Sequence, residues 1–72
     1  MSFGVTEFTN DQLPGLTGVC LPGIPFHVFT SRYRAEKHRE KARGEETAVV
    51  ERTDGKFLVA MIDREDNTFI YI

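Results

Sequence analysis

Residues 47–62 read TAVVERTDGKFLVAMI, two apolar runs joined by Asp54-Gly55. Asp-Gly supplies the two positive-φ positions of a type I′ turn, whose twist suits antiparallel strands. With Asp54 and Gly55 as the loop, Thr53 pairs with Lys56, Val50 with Val59 and Ala48 with Met61. One hairpin face then carries Ala48, Val50, Phe57, Val59 and Met61, and the other Thr47, Val49, Glu51, Leu58, Ala60 and Ile62. Both faces are largely apolar. A sheet with one wet face alternates apolar with polar residues, and residues 57–62 do not. The second face therefore needs a cover: another part of the chain, a second copy or a partner.

Downstream of the hairpin, residues 63–67 (DREDN) form a charged turn and residues 68–72 (TFIYI) a last strand. That strand has no Pro or Lys to blunt an exposed edge. Phe69, Ile70, Tyr71 and Ile72 are thus a candidate interface strand, for a partner's sheet or for a homodimer.

Upstream, residues 31–43 (SRYRAEKHREKAR) are the one helix, with Ser31 as N-cap and Gly44 just past the end. The interior holds good helix formers and no Gly or Pro. Helical spacing puts Ser31, Ala35, His38 and Ala42 on one narrow seam, suited to close packing on a sheet. Arg34, Lys37 and Lys41 cluster on the far side, and Arg32, Arg39 and Arg43 line one flank. The like-charged pairs Lys37/Lys41 and Arg39/Arg43 each cost a few tenths of a kcal/mol, offset in part by Glu36 with Arg39 and Glu40 with Arg43. Stability alone does not account for this charge layout.

Residues 24–30 (IPFHVFT) have strand composition, with Pro25 suited to a strand end. Residues 9–23 are rich in Gly and Pro and read as a loop, yet carry Leu13, Leu16, Val19, Cys20 and Leu21. An apolar loop of this kind is the first candidate for the missing cover. Phe3 and Val5 alternate, which suggests a short edge strand at the start. The expected fold is α+β in one domain, 1–72. An irregular N-terminal arm, 1–23, precedes a β-α-β-β-β core, 24–72, of about four antiparallel strands with one basic helix packed on one face.

Seventy-two residues bury little core; a chain of this size hides only roughly 60% of its unfolded surface. One cysteine, Cys20, allows no internal disulfide and fits a reducing, cytoplasmic setting. No apolar run reaches the roughly 20 residues of a membrane span, and the N-terminus lacks the pattern of a signal peptide. The net charge of −2 argues against a generally basic nucleic-acid binder. The distribution is more informative. Residues 32–43 hold six cations and two carboxylates, a net +4, while the other three cations and nine carboxylates net −6.

Chemistry finds little support. Cys20, His27 and His38 are the only soft ligands, too few for a four-ligand zinc site. The only serines are Ser2 and Ser31, and no Gly-rich stretch forms a phosphate loop. Neither catalysis, a metal nor a cofactor is expected. Cys20 is expected to pack as a small hydrophobe and His38 to lie against the sheet.

The size and the β-α-β-β-β order resemble small phage-encoded inhibitor proteins, including several anti-CRISPR proteins. That resemblance implies a non-catalytic protein that occupies a host complex. The charge layout points to the same kind of act. Arg32, Tyr33, Arg34, Lys37, Arg39, Lys41 and Arg43 are the candidate partner-binding residues. The expected partner is a protein or nucleoprotein complex. The alternatives are direct nucleic-acid binding through the same helix and a structural subunit docking by its C-terminal strand.

Overall fold

A computed structural model describes residues 6–72 of the chain. The elements are β1 (Thr6–Thr9), β2 (Thr17–Cys20), α1 (Arg32–Glu40), β3 (Glu46–Glu51), β4 (Phe57–Asp63) and β5 (Thr68–Tyr71). The strands form one five-stranded sheet in the order β1-β2-β5-β4-β3. β2 and β5 run parallel and every other neighbouring pair is antiparallel. The fold is α+β, as expected, but the sheet is mixed and has one more strand. The element order is ββαβββ rather than the β-α-β-β-β that carried the resemblance to phage inhibitors.

The β3–β4 hairpin forms, one residue out of the expected register. Val50 faces Leu58 and Ala48 faces Ala60. The loop has three residues, Thr53-Asp54-Gly55, between Arg52 and Lys56, whose backbones are joined by a 2.7 Å hydrogen bond. The Gly55 amide donates to the Arg52 carbonyl (3.1 Å), and the Asp54 carboxylate accepts from the Lys56 amide (3.1 Å). Only Gly55 needs a positive φ, +82°, so this is a turn followed by a left-handed residue. A slip of one residue exchanges the faces of one strand against the other. Val50, Ala48, Leu58, Ala60 and Ile62 now share a face, and Val49, Val59 and Met61 lie on the other.

The first face holds the main core. Leu58, Ala60, Ile62, Val50 and Phe69 pack with Leu13 and Leu16, and Phe8, Ala48 and Tyr71 surround them. Phe69 and Val50 are each 1% exposed, worth about 1.5–3 kcal/mol apiece in burial. The cover is indeed the arm. The Asn10 side chain and backbone accept from Gln12 and Leu13, curling the chain so that Leu13 and Leu16 turn under the sheet. The Gln12 amide then pairs with both backbone groups of Glu51 at the far edge.

The arm is nevertheless not irregular, because β1 and β2 form a hairpin within it. Gly18, a loop signal in the sequence, sits mid-strand. A methyl there would meet Phe8 and Phe69 rings within 2.5–2.7 Å. The bare Cα is what allows these two rings to close over β2. Phe3 and Val5 lie outside the described residues.

Two further expectations are corrected. Residues 24–30 make no strand; only Phe29 bridges, to Phe57. Prolines 22 and 25 and the positive φ of Gly23 keep the segment before it off a ladder. β5 is no free edge either: it lies inside the sheet between β2 and β4. Phe69 is core, and Ile70, Tyr71 and Ile72 are half-buried. Of the candidate interface strand, Phe69 is thus paired on both sides, whereas Ile70, Tyr71 and Ile72 lie beyond the two-residue pairing with β2.

Candidate binding face of the basic helix

α1 begins where Ser31, in extended conformation, accepts a 3.2 Å hydrogen bond from the Arg34 amide through its hydroxyl. It packs across β3 and β4 on the sheet face opposite the main core. Ala35 is fully buried, His38 and Ala42 are half-buried, and the remaining cations are exposed, so the seam lies where its spacing put it. The helix ends at Glu40 rather than at Arg43. Lys41 and Ala42 close tighter turns onto His38 and Arg39, and Gly44 reverses the chain toward β3. Arg43 consequently belongs to a turn and not to the helix face.

The seven predicted binding residues separate into groups. Tyr33, Arg34, Lys37 and Lys41 line one groove of about 420 Å3 with Phe29 and His38. Tyr33 is 70% exposed, and the Lys37 ammonium lies 5.5 Å from its ring centre. Arg32 turns away and stacks its guanidinium 5.2 Å from the Phe57 ring centre. Arg39 pairs with Glu36 at 3.3 Å; the expected Glu40–Arg43 pair is not among the ion pairs of the described residues. Arg34, Lys37, Lys41 and Arg43 have no carboxylate partner among the described residues.

Phe29 and His38 were not among the predicted contacts. Phe29 is fixed by two 2.8 Å backbone hydrogen bonds with Phe57. His38 Nε2 donates to the Ile72 carbonyl at 3.1 Å, and His27 Nδ1 donates to the same oxygen at 3.0 Å. The two imidazole centres are 4.9 Å apart, and the Phe29 ring is 5.1 Å from that of His38. This aromatic group ties residues 27–29 and α1 to the end of β5, giving the groove a firm wall. The sequence signal for His38 was its place on the seam. Phe29 was hidden by reading its segment as a strand.

Cys20 is exposed rather than packed away. Among the described residues no cluster of three or more His, Cys, Asp or Glu side chains could hold a metal, and no helix is long and apolar enough to cross a membrane. The groove sets three cations beside an exposed aromatic ring, a chemistry that suits an anionic surface. No protein-family model, curated protein or solved structure matches this chain.

Proposed function

We propose that this chain is a non-catalytic binding protein, a small inhibitor or modulator that occupies a macromolecular partner by docking α1 on an acidic protein surface. The observation that carries the reading is the groove itself. Arg34, Lys37 and Lys41 line it, exposed Tyr33 lies among them, and no carboxylate lines it. Like charges at Lys37 and Lys41 cost helix stability, which is the expected compromise where a surface serves a partner. The dipolar charge layout favours fast, steered association. Lone Cys20 fits a reducing cytoplasm as the working compartment.

Direct nucleic-acid binding is the second reading. Tyr33 and Phe29 beside three cations are the parts from which single-strand sites are built, rings for bases and charges for phosphates. Anisotropy of labelled single- and double-stranded oligonucleotides, at about 50 and 200 mM salt, separates the two. Under the protein reading neither oligonucleotide binds, and a complex of fixed stoichiometry with the partner weakens at least tenfold in Arg34→Glu/Lys37→Glu. Saturable oligonucleotide binding that collapses at the higher salt and disappears in that variant establishes the second reading. A partner complex indifferent to the reversal removes α1 from both.

A further inference from the structure

Three soft ligands are too few for a four-ligand zinc site, but the fold brings two of them onto one point. His27 Nδ1 lies 3.0 Å and His38 Nε2 3.1 Å from the same oxygen, the main-chain carbonyl of Ile72. The two ring centres are 4.9 Å apart. Two imidazole nitrogens and a carbonyl oxygen therefore face one another across a small space.

Each of these donors comes from a different part of the chain and is held independently of the others. The His27 ring stacks on Phe29, with 6.0 Å between centres and 20° between planes, and Phe29 is bridged to Phe57. His38 is on α1, which is seated by buried Ala35. The Ile72 amide donates to the Val59 carbonyl at 2.9 Å, which fixes the residue that supplies the oxygen. Donors positioned in this way need little rearrangement to take an ion. His27 is exposed, which leaves a way in.

We propose that His27 Nδ1, His38 Nε2 and the Ile72 carbonyl oxygen bind a transition-metal ion of the copper(II) or nickel(II) class, with water in the remaining positions. The distances select the class. Imidazole nitrogens bind such ions at about 2.0–2.1 Å and oxygens at about 2.0–2.2 Å. With bonds of that length, N···O separations of 3.0 and 3.1 Å correspond to N–metal–O angles of about 90–100°. A tetrahedral site needs those atoms about 3.3–3.5 Å apart. Right angles with mixed nitrogen and oxygen ligands mark tetragonal copper(II) or nickel(II) rather than zinc. To bind, each neutral imidazole moves its proton to the outer ring nitrogen, Nε2 of His27 and Nδ1 of His38, and turns the freed lone pair to the ion. Charge narrows the choice further. Arg34, Lys37 and Lys41 line the basic groove with His38, and no carboxylate does. Calcium and magnesium, which need several oxygen ligands, are poorly served; an ion with strong bonds to imidazole can overcome the neighbouring cations.

Titration of the full chain with copper(II), followed by electron paramagnetic resonance, tests this. Exposed Cys20 would reduce copper(II), so the titration uses the Cys20→Ser chain, and nickel(II) is titrated into the unaltered chain by calorimetry. The expected result is an axial copper spectrum with coupling to two nitrogens, from an equivalent whose affinity falls at least tenfold in His27→Asn and in His38→Gln. Both substitutions keep an N–H near the Ile72 carbonyl and remove the metal-binding nitrogen, so circular dichroism stays that of the parent chain. His27→Asn is decisive, because His27 is exposed and its loss leaves the core alone. Copper(II) and nickel(II) also raise Tm in the parent chain and less in either variant. Absence of binding overturns the proposal. Binding unchanged in either variant, or a spectrum with one nitrogen in the parent chain, overturns it as well.

Discussion

Gly18→Ala adds a single methyl, and the structure says where it goes. Gly18 lies in β2 opposite Phe8 of β1 and Phe69 of β5. The new carbon would be 2.5 Å from two Phe8 ring carbons and 2.7 Å from Phe69 Cζ. Carbon atoms pack best at roughly 3.5–4.0 Å, so both rings must retreat by about 1 Å. Phe69 has little room, being 1% exposed and held edge-to-face against Phe8 at 5.4 Å between centres. Overpacking of this kind costs about 1–3 kcal/mol. Alanine returns about 0.4–1 kcal/mol by restricting the unfolded chain, since Gly18 is not among the residues with positive φ. The two ranges leave a net loss of up to about 2.6 kcal/mol, near 1.3 kcal/mol at their centres, which lowers Tm by about 5–10 °C in a domain of this size. Urea denaturation followed by circular dichroism measures it, with an unchanged slope showing that the unfolded state is not the cause. Phe8 is the more movable ring. In a Phe8→Leu background Gly18→Ala should therefore cost less, by at least about 0.5 kcal/mol. A stabilising Gly18→Ala in the wild-type background, or a cost that the Phe8→Leu background leaves unchanged, refutes the closure of the two rings over β2.

Ser31→Ala removes the hydroxyl that accepts from the Arg34 amide and lowers stability by about 1 kcal/mol in the same assay, whereas Ser31→Asp retains most of it. Gly55→Ala has open space around its new methyl and a φ of +82°, so it costs about 1 kcal/mol of backbone strain alone, most of which Gly55→Asn recovers. Glu46 is held below its ordinary value of 4.5 by hydrogen bonds from the Arg64 side chain and then by its charge. Its folded value is depressed, so its contribution is complete above that ordinary value and fades as pH falls through the folded one. Glu46→Gln should flatten this acid limb of the stability curve while changing little at pH 7, because the pair is exposed.

Much of the fold can be read from short-range chemistry. Ser31 before a run of helix formers marks the start of α1, and the Ala35/His38 spacing marks its buried seam. Asp54-Gly55 marks a hairpin, and a hairpin apolar on both faces implies a covering arm. Other features depend on choices that local sequence leaves open. Asp-Gly serves loops of two and of three residues alike, and only the φ of Asp54 separates them. The end of α1 follows from the need to bring Glu46 opposite Ile62, since residues 41–43 have ordinary helix propensity. β5 becomes an inner strand by parallel pairing with β2, some fifty residues away in sequence. Nothing in TFIYI announces that partner. The clustering of cations in one window was legible, but its division was not. Arg32 leaves for Phe57 and Phe29 joins the groove because of the single bridge between those two phenylalanines.

The two faces of the sheet carry unequal loads, and this bears on how the basic helix is to be understood. The main core lies beneath Leu13 and Leu16, on the face away from α1. α1 itself buries one residue completely, the small side chain of Ala35. A helix that contributes so little apolar area is held by its cap, its seam and the His38 tie to Ile72. None of these uses the side chain of Arg34, Lys37 or Lys41. The outer face of α1 is thus free of structural duty, and its charge can follow the demands of a partner without loss of the core. Arg34→Glu/Lys37→Glu turns the like-charge Lys37/Lys41 pair into an attractive one, worth a few tenths of a kcal/mol, and leaves the Ala35 contact alone. Binding and folding are therefore separable here, and a partner complex lost on charge reversal reports on recognition rather than on a damaged fold.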